Sequence, residues 1–300
     1  MGPSLAVRAK RAVREAGHDL RVIADSRFSD SAARRWLDER EVETLSADLL
    51  DRNALAGLPD AGNVISLVGA KFGTSQNPSN TWGVNILAAD RVAERFAEAR
   101  IVALSSGNVY PLVPAGGAGS TESDPLTPVG EYPNAAVARE RIFDFHSRRN
   151  GTSVAIIRLN YAVDLRYGVL LDVGRRVFAG EPVDVTMGYL NCIWQGDAND
   201  LILRSLSLAE SPAVPLNLTG PKLSVRQIAE EFGRLLDKPV AITGSEADTA
   251  LLNDASQLHR QLGEPPTPID VVLRWTADWL RRGNETWQKP TRFEVRDGVF

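Results

Sequence analysis

The sequence predicts an α/β protein built on a doubly wound parallel sheet, with a smaller C-terminal lobe. Three observations carry this. Helix-like stretches, with apolar residues every three to four positions, alternate with short strand-like runs through the first half of the chain. Several of those runs are apolar nearly throughout, as strands are when helices cover both faces of a sheet. After Asn160 the rhythm changes, and prolines punctuate the chain at 212, 215, 221, 265, 266 and 268.

Each element has its own justification. The first helix-like stretch, 4–16, has Pro3 suited to its first turn and Gly17 placed as a C-terminal glycine. A strand at 20–24 follows, then a helix at 31–41 and strands at 42–46 and 63–68. Helices at 80–98 and 132–149 alternate with strands at 100–105 and 154–160. Right-handed crossovers between such strands open a ligand crevice at their carboxyl ends. Beyond Asn160 we expect a helix at 168–180, a strand at 190–195, a helix at 198–209, and a helix at 224–236 capped by Ser224. The tail, 288–300, is mostly polar with a few aromatic or apolar anchors.

Composition excludes several function classes. The 300 residues carry a net charge of −4 with acids and bases interspersed, so no basic stripe offers phosphate neutralisation to a nucleic acid. The one cysteine, Cys192, excludes an internal disulfide and fits a reducing compartment. No apolar run approaches the roughly 18–20 residues of a membrane span. The N-terminal stretch lacks the uninterrupted apolar segment of a secretory signal. The expected location is the cytoplasm. His18, His146 and His259 are far apart in sequence and form no metal-ligand spacing, so no metal is expected.

Several segments carry more specific information. Gly2 stands at the start of the first helix, and Asp25 ends the strand that follows it. Asp48 and Leu49 follow the strand at 42–46, and Gly69-Ala70-Lys71 ends the next strand. Then come Asn85, the run Ser105-Ser106-Gly107-Asn108-Val109-Tyr110, the pair Glu131-Tyr132, and Arg158-Leu159-Asn160. Asn217-Leu218-Thr219-Gly220 and Leu262-Gly263-Glu264-Pro265-Pro266 lie near the C-terminus. In this order the segments resemble the NAD-dependent epimerase/dehydratase family, the extended short-chain dehydrogenases/reductases, along essentially the whole chain.

The resemblance implies a Rossmann-like dinucleotide-binding domain over 1–165 and a substrate lobe over 166–300 that returns elements to the main sheet. It implies NAD as cofactor, with Gly2, Asp25, Asp48, Leu49, Gly69, Lys71, Tyr132 and Asn160 as its contacts. An acidic strand end such as Asp25 suits the adenosine ribose and favours NAD over NADP, with Arg27 leaving some room for a 2′-phosphate. It also implies Ser106 and Tyr132 as catalytic residues, and a homodimer through helices 80–98 and 132–149. The family's first strand and earlier glycines are absent before Gly2. The chain start is then either an artefact or a natural truncation, the former favoured because the remainder reads as intact.

One catalytic position departs from the family pattern. A lysine four residues after the tyrosine shares its helix face, holds the nicotinamide ribose and helps the phenol ionise. Here that position is Ala136. A phenol with no cation beside it stays almost entirely protonated at neutral pH. Tyr132 is therefore expected to act as hydrogen-bond donor or general acid, with Arg139 the nearby cation on its helix face. A lysine restored at 136 is expected to raise turnover.

The stretch 186–197 contains Asn191, Trp194 and Gln195 but no Arg or Lys, which suits a hydroxyl-rich or carboxylated molecule better than a diphosphate. With Asn108, Asn191 and Trp194 as substrate contacts, the function read from the chain is an NAD-dependent oxidoreductase, epimerase or dehydratase acting on a sugar or sugar acid. The alternative is a catalytically impaired dinucleotide-binding sensor or regulator. Plainer roles stand beside each residue: Ser106 as a strand-end cap, Tyr132 as a helix-start aromatic, Asp25 as a solvated turn residue, Trp194 as strand core.

Overall fold

The computed structural model describes residues 1–71 and 73–298; the last two residues of the tail read as 288–300 lie outside the described residues. The chain runs α1 (Gly2–Glu15), β1 (Ile23–Ser26), α2 (Ser31–Asp38), β2 (Glu43–Ser46), α3 (Arg52–Ala56) and β3 (Asn63–Ser66). It continues α4 (Pro78–Arg95), β4 (Arg100–Ser106), β5 (Val113–Pro114), α5 (Glu131–Asn150), β6 (Val154–Leu159), β7 (Ala162–Val163), α6 (Val169–Ala179) and β8 (Val183–Asp184). Then come β9 (Tyr189–Asn191), β10 (Ile193–Trp194), α7 (Gln195–Arg204), β11 (Val214–Leu218), β12 (Lys222–Ser224) and α8 (Val225–Leu236). The chain ends with β13 (Ile242–Thr243), β14 (Thr249–Ala250), α9 (Ser256–Leu262) and α10 (Ile269–Arg281).

The central sheet has four parallel strands in the order β11-β6-β4-β3. Alternation along β4 shows why it is buried on both faces. Ile101 and Ala103 point into a cluster with Ala89, Val92, Ala93 and Phe143 from α4 and α5. Val102 points the other way, into a cluster with Ala155, Ile157, Leu216, Ile202 and Leu258. A second core gathers Leu170, Val173, Phe232, Leu236, Leu273 and Leu280 from α6, α8 and α10, with Phe293 of the tail.

The α/β architecture and its parallel strands are as expected, but the sheet is not continuous. β1 and β2 form a separate parallel pair, and among the described residues neither is hydrogen-bonded to the four-stranded sheet. In the described chain the first element is already α1, and among the described residues no strand is hydrogen-bonded to both β1 and β3. α1 bridges the two parts instead. Leu5 packs in the cluster beneath the central sheet, while Ala6 packs with Leu37 and Val42 of the β1–β2 unit. Its polar side is tied to α7, where Arg8 pairs with Asp200 and Gln195 and Asn199 both donate to Ser4 Oγ at 3.2 Å.

Three helices escape the sequence pattern: α3, which is only five residues long, α9, and α10, which starts behind the proline cluster with Pro268 as N-cap. The strand expected at 190–195 is broken at the buried Cys192 into β9 and β10, which pair with different partners, β12 and β7. Ser224 caps α8 as expected, its hydroxyl accepting from the Gln227 N–H at 3.3 Å.

Candidate functional site

Three polar side chains converge at the carboxyl ends of the central strands. Ser106 ends β4 and is nearly buried; its Oγ accepts the Asn108 N–H at 3.2 Å, so it also serves as the strand-end cap. Tyr132 is the second residue of α5, whose first residue, Glu131, accepts from Trp82 Nε1 at 2.6 Å. Asn160 directly follows β6, its backbone N–H donating to Leu218 O at 3.0 Å. All three line one cavity of about 390 Å³, together with Asn108 and Lys71. Burial at the ends of adjacent parallel strands is where this topology leaves room for a ligand.

Ala136, one turn after Tyr132, is fully buried against Val109 and Tyr110. The next cation along the helix, Arg139, is buried too, and its Nη1 donates to Val68 O at 3.2 Å and Asn85 Oδ1 at 2.6 Å. Burial lowers the guanidinium's affinity for its proton, opposed by the nearby Tyr132 and Glu140. Glu140 itself is committed elsewhere, to Arg158 at 2.8 Å and to the Ser105 hydroxyl. Arg139 also supplies a reason for Gly69. A side chain at 69 would run into the Arg139 guanidinium and into Asn85 Oδ1, so this glycine is required by packing behind the strand end.

The residues read as cofactor contacts are spread along the strand ends. Asp25, at the end of β1, has Oδ1 buried without a hydrogen-bond partner. Desolvation pushes its carboxyl up to about 6, against a hydrogen bond from the Ala47 backbone. Asp48 accepts the Leu50 N–H at 2.9 Å and shapes a turn, while Leu49 packs at the edge of the α4–α5 core. Gly2 opens α1 and no side chain caps this helix; Pro3 carries no N–H, so Gly2 and Ser4 are the first-turn N–H groups that an anion could meet. Lys71 lines the cavity and lies against Tyr167, with Nζ 3.3 Å from the phenol oxygen. The orphaned Asp25 oxygen and the uncapped helix fit the ribose and pyrophosphate of a dinucleotide.

Two residues read as substrate contacts are not brought to the cavity. Asn191 is buried, its Oδ1 accepting from the Asn253 N–H at 3.0 Å, and does structural work. Trp194 packs on the C-terminal core, edge to face with Trp275 at 5.4 Å, so its plainer reading as core is the better one. Sequence reasoning missed other lining residues. Tyr161 lines the cavity in a left-handed backbone conformation, φ 40°, and burial drives its phenol well above the ordinary range. The tail crosses the cavity and contributes Gln288, Lys289, Pro290, Thr291 and Arg292. Only its apolar anchors signalled this in sequence: Phe293 is buried in the second core, and the Thr291 hydroxyl and N–H both donate to Asp172.

Comparisons agree with this geometry. UDP-glucose 4-epimerase of Thermus thermophilus, solved with NAD, is 17% identical, covers 93% of this chain and 97% of its own, and superposes with a TM-score of 0.74. DesIV, a dTDP-glucose 4,6-dehydratase of Streptomyces venezuelae, is 18% identical over 93% and 94% of the two chains, TM-score 0.78. The dTDP-glucose 4,6-dehydratase of Bacillus anthracis is 13% identical over 95% of each, TM-score 0.77. At these identities the likeness establishes the shared Rossmann-type fold. No curated protein matches the sequence. The family model of NAD dependent epimerases and dehydratases matches residues 8–163, more than half of the 300, and the chain belongs to that NAD-using family.

Proposed function

We propose that the chain is an enzyme that uses NAD to act at a hydroxyl-bearing carbon of a sugar or sugar-acid derivative, as an oxidoreductase, epimerase or dehydratase. The observation that carries this is the convergence of Ser106, Asn108, Tyr132 and Asn160 on one cavity at the strand ends. Lys71, Lys289 and Arg292 line the same cavity. They supply the positive charge that the stretch 186–197 lacks, so a carboxylate or phosphate on the substrate is as well accommodated as its hydroxyl groups. The structurally similar proteins are named for sugar nucleotides, and that class extends the reading to this chain.

In this reading Asp25 holds the adenosine ribose, Asp48 and Leu49 flank the adenine, and the α1 N-terminus faces the pyrophosphate. Lys71, Tyr132 and Asn160 hold the nicotinamide end. NAD, when bound, would take a hydride from the hydroxyl-bearing carbon, and its reduced form would return one. The Ser106 hydroxyl, oriented by the Asn108 N–H on its oxygen, donates a hydrogen bond to the reacting oxygen and keeps its proton. Tyr132 gives its proton to the same atom when a carbonyl is reduced and takes it back when the hydroxyl is oxidised, without the lysine that would make it a strong base. A homodimer through α4 and α5, where Leu87 and Phe145 stay exposed, and a cytoplasmic location complete the proposal.

Calorimetric titration of NAD, with NADP as comparison, tests it. NAD binding that is preferred over NADP and weakened in Lys71→Met is the expected outcome; a folded chain that binds neither nucleotide overturns the proposal. The buried Ala136 favours a second reading, a sensor that binds NAD without turnover. Nicotinamide absorbance with a panel of sugar acids and sugar nucleotides separates the two.

A further inference from the structure

Behind the floor of the catalytic cavity lies a second layer of polar groups. Asn253, in the loop after β14, is 1% exposed, and so is Asn160. Around them, among the described residues, four buried side-chain atoms make no hydrogen bond: Asn160 Nδ2, Asn253 Nδ2, Asn253 Oδ1 and Ser120 Oγ. Buried polar atoms nearly always find partners, so this concentration at one place needs an explanation.

The arrangement is built. The Asn253 N–H is anchored on Asn191 Oδ1 at 3.0 Å, and its loop is laced to Ser120, whose N–H donates to Leu252 O at 2.8 Å and whose carbonyl accepts from the Asp254 N–H at 2.9 Å. Asn217 Nδ2 donates to both Ser120 O and Asp254 O at 2.9 Å. Two glycines make room. A Cβ at Gly119 would lie 2.6 Å from the Asn253 backbone nitrogen. A Cβ at Gly107 would lie 2.5 Å from Asn253 Oδ1 and 2.9 Å from Asn160 Cβ. The missing side chain of Gly107 thus lets the two carboxamides converge between Ser106 and Asn108, which both line the cavity. The four orphaned atoms belong to amides and a hydroxyl, so the niche is neutral.

We propose that Asn253 is a positioning residue for Asn160. In this structure the two amides lie side by side at Gly107 without pairing; a rotation of either carboxamide, or one bridging water, joins Asn253 Oδ1 to an N–H of Asn160, and this holds the Asn160 carbonyl edge toward the cavity. A carbonyl held this way accepts a hydrogen bond from an uncharged hydroxyl group and repels a carboxylate at that point. The inference rests on the proposed reading that Asn160 meets the ligand. The idle donor on Asn160 and the idle acceptor on Asn253 are complementary, which is why one contact satisfies both.

Side-chain amide resonances of Asn160, observed with selective ¹⁵N-asparagine labelling, test this without any ligand. In Asn253→Ala the Asn160 amide protons are expected to exchange with solvent about tenfold faster than in the wild type, the worth of one lost hydrogen bond. Asn253→Asp keeps the acceptor and adds charge, so it should retain the protection and move those protons downfield. Equal exchange in the wild type and a folded Asn253→Ala overturns the proposal, as does an Asn160 resonance unmoved in Asn253→Asp. NAD titration of the Asn253→Ala protein then distinguishes the sources of the hydroxyl: weakened NAD binding assigns it to the cofactor's ribose, unchanged binding to the substrate. Failure of the wild type to bind NAD strikes the proposed function and leaves the amide coupling to be judged on its own resonances.

Discussion

Asp25 shows how much one atom can say. A half-buried carboxyl with an unpartnered oxygen keeps its proton up to about pH 6 in the folded chain, whereas an aspartate in an unfolded chain releases it near 4. Between those values the folded state binds more protons than the unfolded one, so the contribution of Asp25 to stability falls as pH rises through that window. Asp25→Asn should remove this slope. Denaturant unfolding at pH 4, 5, 6 and 7 should show the variant gaining on the wild type by about 1 kcal/mol across the window, after discounting for solvent screening. Parallel curves would reject the assignment. Ala136 makes a second prediction at this scale. Because the site is fully buried against Val109 and Tyr110, a lysine there must overpack that cluster or bury its charge. Ala136→Lys is expected to lose about 1–3 kcal/mol and to melt earlier, measured by calorimetry, whatever it does for turnover.

Among the elements, the tail is the one whose role changed most between sequence and structure. Its composition reads as mostly polar with a few apolar anchors, and the structure adds polar ties that hold it at several points. Thr291 donates twice to Asp172, Glu294 pairs with Arg176 at 3.1 Å, and the Arg296 guanidinium donates to the Thr249 carbonyl at 2.7 Å. Phe293, 1% exposed, is the apolar pin between these polar contacts. Phe293→Ala should cost about 3–5 kcal/mol in urea unfolding and expose residues 285–298 to limited proteolysis. If cleavage there is no faster than in the wild type, the tail is secured by its polar contacts alone. The long helices α4 and α5 and the strands β4 and β6 were legible in sequence because their apolar periods run for many residues. α3 and α9 were not, being short, and the proline cluster hid the start of α10. Cys192 divides a strand that looked continuous because β9 and β10 answer to different neighbours, a matter of pairing rather than of propensity.

At the scale of the whole molecule the division of the sheet matters most. β4 and β6 are buried on both faces and paired on both edges, whereas β1 and β2 are only partly buried and, among the described residues, pair only with each other. A two-stranded pair with open edges depends on what packs against it. Here that is chiefly α1 and α2, with Ala6, Leu37 and Val42 as the small core. Native-state hydrogen exchange should therefore find the amides of β1 and β2 opening well before those of β4 and β6, as a separate low-stability unit. Uniform protection across all these strands would mean that α1 couples the two parts into one cooperative body.

What the sequence determined by itself was the α/β class, most of the long elements, and the residues at strand ends where this topology puts chemistry. Local periodicity and the direction of a strand suffice for that, which is why Ser106, Asn108, Tyr132, Lys71 and Asn160 could be named and are found on one cavity. Tertiary structure alone decided the rest. Trp194 and Asn191 have side chains fit for a ligand, and only packing shows them turned to Trp275 and Asn253. Lys289 and Arg292 reach the cavity from the far end of the chain, and Gly69 answers to Arg139, seventy residues away in sequence. Contacts between segments so distant leave no local period, so their chemistry becomes visible only once the chain has folded back on itself.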